Sequence, residues 1–128
     1  MKDFRDLRVW LKAHELTLKV YTETVSFPKE ELYGLTSQIR RCAVSIGANI
    51  AEGRGKMGNN EFQRFLQIAA GSASELDYEL LLAKDLGYLA KPDYAKIADE
   101  LSQIRKMLSA LLRKVNVDRK GKGLSANR

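Results

Sequence analysis

Apolar residues recur at helical spacing in four successive stretches of the chain. The first runs from about Leu7 to Ser26, with Asp6 as its predicted N-cap and an inward stripe of Val9, Ala13, Leu16 and Val20. Phe27-Pro28 ends it, because the residue before proline is pushed out of the α region. Thr36 is placed to cap a second helix, with stripe Ile39, Ala43, Ile46 and Ile50, that stops at Gly53. Its small residues Ala43, Gly47, Ala48 and Ala51 predict the close approach of a neighbour. Gly47 costs about 1 kcal/mol of helix propensity relative to alanine, which predicts that packing there demands a missing side chain.

Past the loop GRGKMGNN, Asn60 as cap and Gln63 three residues on form a capping-box pattern. The third helix carries Phe62, Leu66, Ala69, Ala73, Leu76, Leu80 and Ala83 and closes near Gly87, a length of about 40 Å. Pro92 suits the first turn of a fourth helix, whose stripe Tyr94, Ile97, Leu101, Ile104, Leu108, Leu111 and Val115 alternates three and four throughout. Short connections make consecutive helices antiparallel, so the predicted fold is all-α, an antiparallel up-down-up-down four-helix bundle over residues 1–116. Beyond Val117 the periodicity is lost, and residues 117–128 read as a basic disordered tail.

Composition narrows this without changing it. With 128 residues, 45% of them apolar, the chain fills one domain and has no room for a second. Cys42 is the only thiol, so no internal disulfide is possible and the cytoplasm is the expected location. The opening MKDFRDLRVW lacks a signal-peptide h-region, and no apolar run approaches the roughly 20 residues of a membrane-spanning helix.

The formal net charge of +6 is unevenly placed. Residues 1–104 hold 14 Lys/Arg against 15 Asp/Glu, whereas residues 105–128 hold 8 against Asp118 alone. Such a basic end is either attracted to phosphate or acidic partners or serves as a solvated tail.

Catalytic constellations are not found. His14 stands alone, so neither a zinc pair nor the Glu-x-x-His ligands of a bundle-type di-iron centre can be assembled, and no metal or cofactor is expected. Gly53-Arg54-Gly55-Lys56-Met57-Gly58 has GxGxxG spacing, but a helix rather than a strand precedes it. Its Arg54 and Lys56 fall near the positive end of the third helix, a place suited to phosphate.

Some apolar residues lie beside the core stripes: Trp10, Tyr21 and Val25 on the first helix, and Ile68, Leu82 and Leu86 on the third. They imply either a wide core or a subunit interface, and self-association is the reading preferred. Two polar stripes, Arg41, Ser45, Asn49, Glu52 and Ser72, Glu75, Glu79, suggest that Arg41 pairs with Glu75 or Glu79 at a helix or subunit junction.

The segments FRDLRVWLKAHEL, YGLTSQIRRCAVSIGANIAEGRG and EFQRFLQIAAGSASELDYELLLAKDLGYL together resemble the 23S ribosomal RNA intervening-sequence proteins over about residues 4–115. The resemblance implies small bacterial four-helix bundles that form homopentamers. It further implies kinship with the accessory protein of diversity-generating retroelements, a basic pentamer that binds nucleic acid and a reverse transcriptase. Gly47 departs from it, since the family usually carries proline there.

Two functions follow as expectations. In the first, a non-enzymatic homo-oligomer contacts RNA or single-stranded nucleic acid through Arg40, Arg54, Lys56, Arg64, Arg113, Lys114, Arg119, Lys120 and Lys122, and repetition of the patch supplies avidity. In the second, the bundle is a scaffold that docks a protein, such as a reverse transcriptase or another acidic partner.

Overall fold

A computed structural model describes residues 3–126, with side chains described as far as Asp118. Four helices follow in order: α1 (Arg8–Thr24), α2 (Leu35–Arg54), α3 (Asn59–Asp85) and α4 (Lys91–Ala126). Each packs against the one before it, and α4 closes the bundle on α1. An antiparallel order of this kind gathers the start of α1, the end of α2, the start of α3 and the far part of α4 at one end of the molecule.

The core is built from the predicted stripes. Val9, Ala13, Leu16 and Val20 meet Ile39, Ala43, Ile46 and Ile50, and the α3 stripe from Phe62 to Ala83 is buried throughout. On α4, Ile97, Leu101, Ile104, Leu108 and Val115 are buried, while Tyr94 and Leu111 at the margins are only partly covered. Fully burying one such Leu or Ile contributes roughly 1.5–3 kcal/mol, so these layers supply the main driving force for the fold. An ion pair between Lys19 and Glu100 joins α1 to α4 at the surface, and Arg105 reaches Asp77 at 2.9 Å to join α4 to α3.

The helix ends depart from the sequence reading. Asp6 does not cap α1; it closes a 3-10 turn, Phe4–Asp6, and Leu7 is the residue at the cap. Asp3 caps that turn instead, accepting the Arg5 backbone N–H at 2.9 Å, a bond that holds its carboxyl below the usual range. Thr36 lies inside α2 with its hydroxyl buried and unpartnered, and the α2 cap is supplied at a distance by Glu31, whose Oε1 accepts from Leu35 N at 3.2 Å. The other Glu31 oxygen accepts from the Tyr88 hydroxyl at 3.1 Å, which ties the α3–α4 connection to the start of α2.

Gly53 does not stop α2. The helix continues through Arg54, and Gly53 is buried where α3 crosses. Asn60 is likewise inside α3, whose N-cap is Gly58. The C-terminus of α3 follows expectation: Gly87 adopts φ 82°, with Tyr88 N donating to Ala83 O and Gly87 N to Lys84 O, both at 2.9 Å. This is the bonding of a Schellman cap, which requires the left-handed region that glycine enters without strain. The α4 backbone is helical to Ala126, past Val117 where the apolar period ends.

Candidate nucleic-acid interface

Three cations converge at the end of the bundle where α2 stops and α3 begins. Arg54 closes α2, Lys56 sits in the following turn, and Lys114 comes from α4; all three line a cleft of about 430 Å³ together with Leu7, Phe62, Leu111 and Val115. One acid, Asp118, also lines it. The apolar floor explains why the cations gather here. Phe62 and Val115 form a buried apolar layer beneath them; Lys56 and Lys114 are exposed at the rim, while Arg54 is half-buried with its Nε enclosed and unpartnered. The Arg54 guanidinium carbon is 6.0 Å from the Phe62 ring centre, and the Lys56 ammonium is 5.6 Å from that of Phe65. Gly58, as N-cap of α3, offers no side chain to the first-turn N–H groups, which leaves the positive end of the helix dipole facing this region.

The remaining basic residues are distributed otherwise. Arg64 is exposed one turn into α3, paired to Glu61 at 3.2 Å and stacked over Phe65 at 4.5 Å. Arg113 lies on a shallow outer face of α4 with Ser102, Arg105, Lys106 and Ser109, a surface the sequence reading did not single out. Arg40 is about 21 Å along α2 from Arg54. Its Nε donates to the Thr24 hydroxyl at 2.8 Å and its guanidinium stacks on Tyr21 at 4.8 Å, so it is committed to joining α2 to α1. The side chains of Arg119, Lys120 and Lys122 lie outside the described residues.

Of the residues assigned to a subunit interface, Tyr21, Val25, Ile68 and Leu86 are exposed, Val25 to 76%. Leu82 packs partly against the core. Trp10 is engaged within the chain, edge-on to Phe4 at 4.7 Å and stacked on His14 at 5.1 Å. Leu11 and Leu18 are exposed as well, though not among the predicted interface residues, and with Val25 at the α1 C-cap they form a stripe spaced seven apart. That heptad spacing was readable in the sequence.

The two polar stripes do face one another. Ser45 and Ser72 share a hydrogen bond of 2.8 Å across α2 and α3, and Asn49 Nδ2 donates back to Ser45 O at 2.8 Å. Among the described residues, however, no ion pair joins Arg41 to Glu75 or Glu79 within the chain. Arg41 and Glu75 line a groove of about 590 Å³ with Gln38, Cys42, Ser45 and Ser72, while Glu79 is buried beside Cys42. Burial, and behind it the Glu79 and Glu75 carboxylates, push the Cys42 thiol up to about 12. Burial likewise raises Glu79 above the ordinary glutamate value, opposed by its contact with the thiol. Sequence reasoning placed Glu75 and Glu79 at a helix or subunit junction with Arg41 and did not connect them with Cys42, which it read as a small apolar packer.

A family model described as 23S rRNA-intervening sequence protein matches residues 5–110. The chain belongs to this family. The chain is also similar to the crystal structure of a protein of unknown function from the S23 ribosomal protein family of Bacteroides thetaiotaomicron. The two are 26% identical, and the superposition, with a TM-score of 0.76, covers 82% of this chain and 95% of that one. No curated protein matches the sequence. The family match ends before Arg113 and Lys114, so much of the basic end of the chain lies outside the matched span. Among the described residues no helix is long and apolar enough to cross a membrane.

Proposed function

We propose that the protein is a non-catalytic, self-associating bundle that holds RNA by its phosphates at the basic end. The observation that carries this reading is the convergence of Arg54 and Lys56, at the end of α2, with Lys114 of α4 on one cleft beside the uncapped start of α3. Three cations over an apolar floor suit the charged backbone of a nucleic acid and give no base-edge readout, so affinity without sequence preference is expected. The exposed stripe Leu11, Leu18 and Val25 supports association of copies, which would repeat the cleft and multiply a weak contact.

The same α1 stripe supports a second reading, in which it docks a protein partner whose acidic groups meet the basic end of the chain. Anisotropy titrations of labelled structured RNA and single-stranded DNA at about 50 and 200 mM salt separate the two. The first reading expects binding to both that weakens steeply with salt, with a log–log slope of at least about 2 for three phosphate contacts. Absence of binding, or binding indifferent to salt, overturns it.

A further inference from the structure

Between α2 and α3, Cys42, Glu75 and Glu79 bring a sulfur and two carboxylate oxygens within 4.8 Å of one another. Two of the three are interior, Cys42 at 8% exposure and Glu79 at 4%. The Oε1 atom of Glu79 is fully enclosed and has no hydrogen-bond partner. A carboxylate in such a place is costly to keep unless something pairs with it, and an apolar residue would fill the same space without that cost. Glu75 sits one turn earlier on the same face of α3 and is exposed to the groove, giving the enclosed pair an opening to solvent.

We propose that Cys42, Glu75 and Glu79 form a binding site for a divalent transition-metal ion of the zinc type, with solvent completing its coordination. The donor set is one thiolate and two carboxylates on facing helices, the usual way in which a bundle presents ligands to a metal. Zinc–sulfur and zinc–oxygen bonds of about 2.3 and 2.0–2.2 Å place tetrahedral donors about 3.5 Å apart, so side-chain rotations of about 1 Å close the site around an ion. The thiol selects against calcium and magnesium, which prefer all-oxygen ligands. Charge is also matched: three anionic donors exceed a divalent cation by one, and Arg41 lines the same groove. On binding, the sulfur–metal bond replaces the Cys42 S–H bond and the proton leaves to solvent.

The test is a titration of untagged, chelator-treated protein with Co²⁺ alone, read by absorption. The site predicts one equivalent per chain, a thiolate-to-cobalt charge-transfer band in the near ultraviolet, visible bands of a tetrahedral ion, and displacement by Zn²⁺. Cys42→Ser should lose the charge-transfer band. Glu79→Gln and Glu75→Gln, with helical content checked by circular dichroism, should keep the fold and bind about tenfold more weakly or worse. No charge-transfer band in the wild-type protein, a band that survives Cys42→Ser, or unchanged affinity in Glu79→Gln would overturn the assignment. Nucleic-acid binding at the other site enters none of these readouts.

Discussion

Gly53 and Phe65 pack so closely that a Cβ added to the glycine would lie 2.7 Å from the Phe65 Cβ, with Phe62 Cδ1 at 3.1 Å. α2 and α3 thus cross with a bare backbone as the point of contact, just before the chain turns into the basic cleft. Gly53→Ala must push the two helices apart and is expected to destabilise the protein by about 1–3 kcal/mol, as other overpacked cores do. Gly47 behaves in the opposite way. A Cβ there would meet only the Trp10 ring, Nε1 at 3.6 Å and Cδ1 at 3.9 Å, ordinary contact, so the packing demand expected from its sequence position is not present. Gly47→Ala should stabilise by about 0.5–1 kcal/mol through helix propensity. Urea denaturation of both variants checks the pair, and equal signs would contradict the packing described.

Arg40 separates structural from binding cations. Its hydrogen bond to buried Thr24 and its stacking on Tyr21 predict that Arg40→Ala loses about 1–2 kcal/mol of stability while RNA affinity is unchanged. Thermal melts and an anisotropy titration of the same preparation measure both quantities. A clear loss of affinity with no loss of stability would place Arg40 on the binding surface instead.

Glu79 gives the protein a specific pH dependence when metal-free. Burial raises its folded-state value above the ordinary 4.5, so the folded protein keeps this proton to higher pH than the unfolded chain does. Stability from this group is therefore fully present below the unfolded value and is lost as pH rises through the raised folded value. Glu79→Gln removes the ionisation and should melt higher than wild type at pH 8 in the presence of a chelator, by the equivalent of about 1–2 kcal/mol, with the gap closing under acid conditions. A gap that widens on acidification would reverse the sign and contradict the burial assigned to this carboxylate.

The bundle was legible in the sequence because its core obeys a single period: every residue from Val9 to Val20, Ile39 to Ile50 and Ile97 to Leu108 on the predicted stripes is buried. Helix ends were less legible, since they depend on remote groups. Glu31 caps α2 from a preceding turn, and nothing local at Thr36 reveals it. The cations Arg54 and Lys56 were visible in the loop, but Lys114 joins them only because α4 returns antiparallel to the same end. The full enclosure of Glu79 was hidden for a related reason. Its spacing from Glu75 places both on one face, and only the rotation of α3 against α2 decides that one is solvated and the other enclosed beside Cys42.

The most direct measurement of the central claim is RNA affinity of the triple variant Arg54→Ala, Lys56→Ala, Lys114→Ala across a salt series, with Arg40→Ala as a control. If the cleft holds the phosphates, the triple variant keeps its helical content, binds more weakly at low salt, and shows a log–log salt slope smaller by about 2–3 for each subunit engaged. Affinity and slope equal to those of the wild-type protein would contradict the account.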